Sequence, residues 1–170
     1  MPETQEIVIN TTPLIALVAA IGDLRVLQIY QRVWVPLEVC QEIAVGGKAR
    51  FALAEFEAAH WLQKHPHPLH IAPGLRNTLD KGEAAVIQLA LDKSVSTVCI
   101  DEPAGRRVAR LNGLALTGSV GILLRALREG YTFSMRAAIE RMRTHGIRLS
   151  TRVIEFALTQ AGEYGVVSRD

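Results

Sequence analysis

Short runs of β-branched and aliphatic residues alternate along this chain with longer stretches whose apolar positions recur every three or four residues. The first run, EIVIN (6–10), reads as a strand buried on both faces. Thr11 or Thr12 then caps a helix that carries Pro13 in its first turn, where a missing N–H costs nothing, and Gly22 ends it. DLRVLQIY (23–30) sets Leu24, Leu27 and Tyr30 at three-residue steps and predicts a short helix. RVWVP (32–36) is a second strand, and LEVCQEIAVGG predicts a helix with Val39, Cys40 and Ile43 inward, stopped by Gly46 and Gly47. Residues 49–63 read as a helix with a mixed stripe of Phe51, Leu53, Phe56 and Ala59, and LHIA (69–72) as a weak third strand. LDKGEAAVIQLALDKS (79–94) predicts a strong helix and STVCID (96–101) a strong strand. Pro103 to Asn112 is helical, LAL (114–116) is a short strand, and helices follow at 119–128, 135–145 and about 150–161.

Strands that alternate with helices need crossover connections and make a parallel sheet. The expected class is therefore α/β, a three-layer α/β/α fold around a central, mainly parallel sheet of about four to five strands. At 170 residues and 49% apolar composition, the chain can fill one core and not two comfortable ones. PLIALVAAIG is too short to span a bilayer, so it is expected to be a core helix. The first ten residues lack a basic start and a long apolar run, so no signal peptide is expected. Cys40 and Cys99 have no metal-type spacing and read as buried small hydrophobes in a reducing cytoplasm. His60, His65, His67 and His70 surround Pro66 and Pro68 and read as a solvated loop rather than a zinc site.

The small net charge of +2 hides an uneven distribution. Residues 103–152 hold ten arginines against two glutamates, whereas residues 1–102 are net acidic. Such an excess suits either a phosphate-binding face or solvated helix surfaces.

Four polar residues stand where strands end or helices begin: Asn10, Glu42, Glu83 and Asp101. In open parallel sheets, functional groups gather beyond the carboxyl ends of the strands. Carboxylates brought together beside a core need a cation, which makes this a candidate divalent-metal site. Each residue also has an ordinary reading. Asp80 and Glu83 fit a capping box, Glu42 fits a surface acid beside Glu38, and Asp101 and Asn10 fit caps. Arg106, Arg107 and Arg110 share a helical face that could hold a polyanion, and Thr117-Gly118-Ser119 opens a helix that could bind phosphate or simply be capped.

INTTPLIAL, VPLEVCQEI, LDKGEAAVIQLAL, CIDEPAGRRVARLNGL and TGSVGILLRA, in that order, resemble the PIN-domain nucleases, in particular a bacterial subgroup related to VapC-type toxins. The resemblance covers about residues 6–130 and implies a single PIN-like domain over 1–170 with a helical tail at about 131–161. It implies metal-dependent hydrolysis of RNA phosphodiester bonds with magnesium or manganese. By that resemblance Asn10 stands at the family's first aspartate, and Glu42, Glu83 and Asp101 are the remaining acids, with Glu102 as an auxiliary. Thr11 or Thr12 would orient the first member. A small antitoxin partner, RNA as substrate and a homodimer are likewise implied, and the helix expected at 23–30 and the apolar C-terminal helices offer surfaces for self-association. Asn10 offers one neutral carbonyl oxygen where an aspartate offers a charge, so a weak or single-metal site is expected. The rival readings are a PIN fold that binds RNA or protein without cleaving it, and a doubly wound nucleotide-binding domain. The latter needs a glycine-rich loop after the first strand, and TTPLIA has no glycine there.

Overall fold

A computed structural model describes residues 5–163, so the two ends of the expected 1–170 domain, 1–4 and 164–170, lie outside the described residues. Five strands form one sheet: β1 (Glu6–Ile9), β2 (Arg32–Val35), β3 (Gln63–Lys64), β4 (Thr97–Cys99) and β5 (Ala115–Thr117). Every pairing is parallel and the spatial order is β3-β2-β1-β4-β5. Helices flank the sheet, as the alternating pattern predicts. They are α1 (Thr11–Ile21), α2 (Leu37–Val45), α3 (Leu53–Ala58), α4 (Pro73–Thr78), α5 (Lys81–Lys93), α6 (Pro103–Leu111), α7 (Ser119–Arg128), α8 (Met135–Thr144) and α9 (Thr151–Gln160).

The central strands explain the parallel arrangement. Ile7, Val8 and Ile9 are all fully buried, so β1 has no solvent face and its aliphatic run does not alternate. Helix α5 packs on β1 and β4 with α2 and α6 beside it, while α1 packs with α7 and α8. Truncating one of these strand residues, Ile9→Ala for instance, would open a cavity at a cost of about 2–5 kcal/mol.

This topology creates the site. The chain steps outward from β1 through β2 to β3, then crosses to the other side of β1 for β4 and β5. Connections therefore leave the carboxyl ends of β1 and β4 in opposite directions, and a crevice opens between them. The register pairs Ile9 with Cys99, so Asn10 and Asp101 follow the two strands side by side. The Asn10 N–H donates to the Cys99 carbonyl at 3.1 Å and closes the ladder there.

Three local expectations need correction. Residues 23–30 contain a 3₁₀ helix, Arg25–Ile29, whose three-residue repeat matches the spacing of Leu24, Leu27 and Tyr30. Leu24, Val26, Leu27 and Tyr30 are buried in the chain's own core, so they offer no apolar surface for self-association. The expected helix at 49–63 is a 3₁₀ turn, Gly47–Ala52, followed by the short α3, and the third strand lies at 63–64 rather than 69–72. Gln63 and Lys64 are exposed at the sheet edge, where backbone pairing with Trp34 and Val35 needs no apolar side chains. At LHIA, the Leu69 N–H instead donates to Glu38 Oε2 at 3.0 Å, so a side chain takes the place of a ladder partner.

Candidate metal site and nucleic-acid groove

Asn10 follows β1 directly and is 4% exposed. It occupies the cap position of α1, yet its side chain makes no capping hydrogen bond, so the cap reading does not account for the amide. Glu42 projects from the second turn of α2, and its Oε1 accepts the Thr11 hydroxyl. Thr11 thus orients Glu42 and not, as expected, the residue at the first position. The two segments meet over Gly82: a Cβ there would lie 2.9 Å from Glu42 Oε1 and 3.2 Å from Asn10 Oδ1. Only a glycine leaves both oxygens where they are.

Glu83 is 5% exposed in the first turn of α5. Its backbone N–H donates to Asp80 Oδ1 at 2.8 Å, so the capping half of the box expected from the sequence is present. The cap does not use up the Glu83 carboxylate. Glu83 Oε2 is buried without a partner and faces the start of α6, where a Cβ on Gly105 would stand 2.7 Å away. Asp101 does act as a helix cap, but for α7 rather than for the helix beginning at Pro103: its Oδ1 accepts the Ser119 N–H at 2.9 Å. Gly118 makes room, since a Cβ there would come within 2.6 Å of the same oxygen.

Among the described residues, four buried side-chain oxygens lack hydrogen-bond partners. Three of them, Asn10 Oδ1, Glu83 Oε2 and Glu102 Oε2, belong to this crevice; the fourth, Glu38 Oε1, belongs to the carboxylate that ties down Leu69. Buried polar atoms are nearly always satisfied, so three orphan acceptors at one strand edge point to a missing donor or cation. The electrostatics agree. Glu83 is pushed up to about 7, first by burial, then by the Asp80 side chain and by the charge of Glu102, against a lowering pull from the Asp80 backbone. Asp101 is also raised by burial and by Glu102, while hydrogen bonds from Ser119 and the charge of Arg106 oppose the rise. A bound cation would reverse both shifts by favouring the ionised forms.

Among the described residues, no group of three His, Cys, Asp or Glu side chains stands close enough to hold a metal ion. A closed protein cage is therefore not built here. The donors fit instead a hydrated hard cation, which takes one or two carboxylates, keeps several waters and accepts a neutral carbonyl oxygen such as that of Asn10. Cys99 is buried and its thiol is pushed well up by burial, which leaves it inert, as expected.

A groove of about 1160 Å³ opens over this edge. Thr11, Thr12, Glu42, Asp101, Glu102 and Arg106 line one end, whereas Asn10 and Glu83 lie buried below. The other wall comes from His145 to Ser150 and the start of α9, with Ile147, Leu149, Val153 and Phe156 as its apolar surface and Arg148 among them. Sequence reading missed this wall; the arginine excess running to residue 152 was its only signal. The arginine face of α6 divides in two. Arg106 donates to the carbonyls of Ile100 at 2.7 Å and Thr117 at 3.3 Å, bridging the ends of β4 and β5, while Arg107 and Arg110 are exposed. Thr117 lines the groove, but the N–H of Ser119, which could have met a phosphate, is engaged by Asp101. His60, His67 and His70 are exposed and His65 is half-buried, in keeping with a loop.

A family model described as PIN domain matches residues 6–163 of this chain. No curated protein matches it.

Proposed function

Because the chain belongs to the PIN-domain family, with its nuclease-like fold, we propose that it is a metal-dependent ribonuclease-like protein that hydrolyses RNA phosphodiester bonds. The observation that carries this reading is the set of buried, partnerless oxygens of Asn10, Glu83 and Glu102 at the acidic end of the groove. Glu83 and Asp101, with Glu42 and the neutral Asn10, would hold a magnesium or manganese ion. When bound, such an ion lowers the pKa of a water and stabilises charge developing on the phosphoryl oxygens.

The chain's own residues supply the rest. Thr11 holds Glu42, and the Ser119 N–H holds Asp101, so both carboxylates face the groove in one orientation. Arg106 ties the ends of β4 and β5 together and keeps the Asp101 loop seated. Arg107 and Arg110 are free to meet backbone phosphates, and Phe156, 55% exposed, offers a face on which a base can stack. Among the described residues, no helix is long and apolar enough to cross a membrane.

The finer reading is a VapC-like toxin of the cytoplasm, neutralised by a small antitoxin that covers the groove, and working as a homodimer. It rests on the resemblance of the five motifs. The whole of residues 1–170 is taken as one PIN-like domain. A second reading, a PIN fold that binds RNA or protein without cutting, is favoured by Asn10 and by the fact that, among the described residues, no three acids stand close enough to hold a metal ion. Cleavage of a generic RNA with Mn²⁺ separates the two. The nuclease reading expects cleavage by the wild type and loss of at least a hundredfold in Asp101→Asn, a change that keeps an acceptor for Ser119. RNA binding with no cleavage at any Mn²⁺ concentration would hand the case to the second reading.

A further inference from the structure

The two sides of the crevice differ in how much charge they leave unspent. On the Gly82 side, Asn10 is neutral and the Glu42 oxygen that reaches the crevice already accepts the Thr11 hydroxyl. On the Gly105 side, Glu83 is buried with Oε2 partnerless, and Glu102 sits at the cap position of α6 without capping it, its Oε2 also buried and partnerless. We infer that Glu102 supplies the negative charge that Asn10 lacks, and that a divalent cation is held on the Glu83–Glu102 side of the crevice rather than between Asn10 and Glu42.

Glycine at 105 is part of this arrangement. Its missing side chain leaves the first turn of α6 open to Glu83 Oε2, at the helix start that Glu102 precedes. Two like charges repel, and a hard cation with its waters replaces that repulsion by attraction. A cap residue without a cap bond and a glutamate Oε2 without a donor are then explained together.

The inference rests on the metal-dependent reading above, and manganese itself is the probe. Titrations of the full chain at neutral pH by calorimetry would compare wild type, Glu102→Gln, Glu42→Gln and Glu102→Gln combined with Asn10→Asp. Glu102→Gln should weaken Mn²⁺ binding by about tenfold or more, Glu42→Gln should weaken it less, and the added aspartate should recover most of the loss. In the wild-type protein, where no variant has to fold, substoichiometric Mn²⁺ should broaden the Gly105 amide resonance before that of Gly82. Wild-type affinity in Glu102→Gln, or broadening centred on Gly82, overturns this inference and leaves the metal site standing. No Mn²⁺ binding by the wild type removes the metal reading and this inference with it.

Discussion

Two buried polar clusters lie in this molecule, and they are built to opposite rules. Around Arg125, 8% exposed on α7, almost everything is satisfied. Its Nε meets Glu129 Oε2 at 2.6 Å, its Nη2 donates to the Ile29 carbonyl at 3.4 Å, and its guanidinium lies 4.6 Å from the centre of the Tyr30 ring. The Tyr30 phenol, pushed up to about 12 chiefly by burial, stays neutral beside it. At the carboxyl ends of β1 and β4, by contrast, three acceptors are buried with nothing to accept. A charge costs little inside a protein when every donor and acceptor is answered, and a good deal when it is not. The first cluster holds the 3₁₀ segment to α7; the second holds a free-energy penalty that a ligand can relieve.

The sharpest way to break that contrast is Arg125→Ala. It should cost about 2–4 kcal/mol and lower the melting temperature by roughly 10 °C, since it leaves Glu129 and the Ile29 carbonyl without their donor. A loss under about 0.5 kcal/mol would make the cluster ornamental.

Glu83→Gln tests the other side. In metal-free buffer, the folded state holds the Glu83 proton up to about pH 7, whereas the unfolded chain releases it near 4.5. The wild type should therefore have its full stability below about pH 4.5 and lose up to about 3 kcal/mol as the pH rises through 7. Glu83→Gln should flatten that slope and be the more stable protein at pH 8, in denaturant titrations repeated across the range. Excess manganese should restore the wild type alone. An unchanged slope in the variant would mean that the buried carboxylate is not the source.

A smaller effect is expected at Gly105→Ala. The new methyl would meet Glu83 Oε2 at 2.7 Å and Ile100 Cγ2 at 2.9 Å, and displacing them should cost about 1–2 kcal/mol. Manganese affinity should fall in parallel; a thermal melt and a Mn²⁺ titration read the two. Smallest for stability is the pair Arg107→Ala and Arg110→Ala, both exposed, which should shift stability by no more than about 0.5 kcal/mol. Each should reduce the salt dependence of RNA binding by about one unit of log–log slope, measured by fluorescence anisotropy. Unchanged salt slopes would remove α6 from the RNA path.

Much of the fold was legible because its causes are local. Buried parallel strands need unbroken aliphatic runs, and EIVI and TVC have them; amphipathic crossovers need a 3.6-residue repeat, and residues 81–93 have it. The site was legible as a set of candidates, since polar residues that end apolar runs mark the functional edge of such a sheet. The edge strand Gln63–Lys64 escaped because pairing at an edge is carried by backbone, and exposed polar side chains leave no periodic trace. Periodicity could not tell that Arg106 points inward to two carbonyls while Arg107 faces solvent.

What the amino-acid order determined by itself is most of the element list, the single aliphatic core, and Asn10 at the end of the first strand. Only tertiary structure decided which oxygens have partners. Thr11 meets Glu42 across 31 positions because β1 and β2 end side by side, and Ser119 meets Asp101 across 18 because β4 and β5 do; β1 beside β4 then brings the two pairs to one crevice. Hydrogen bonding and burial are properties of neighbours in space, and a carboxylate left unanswered inside a protein cannot be recognised until its surroundings have folded around it.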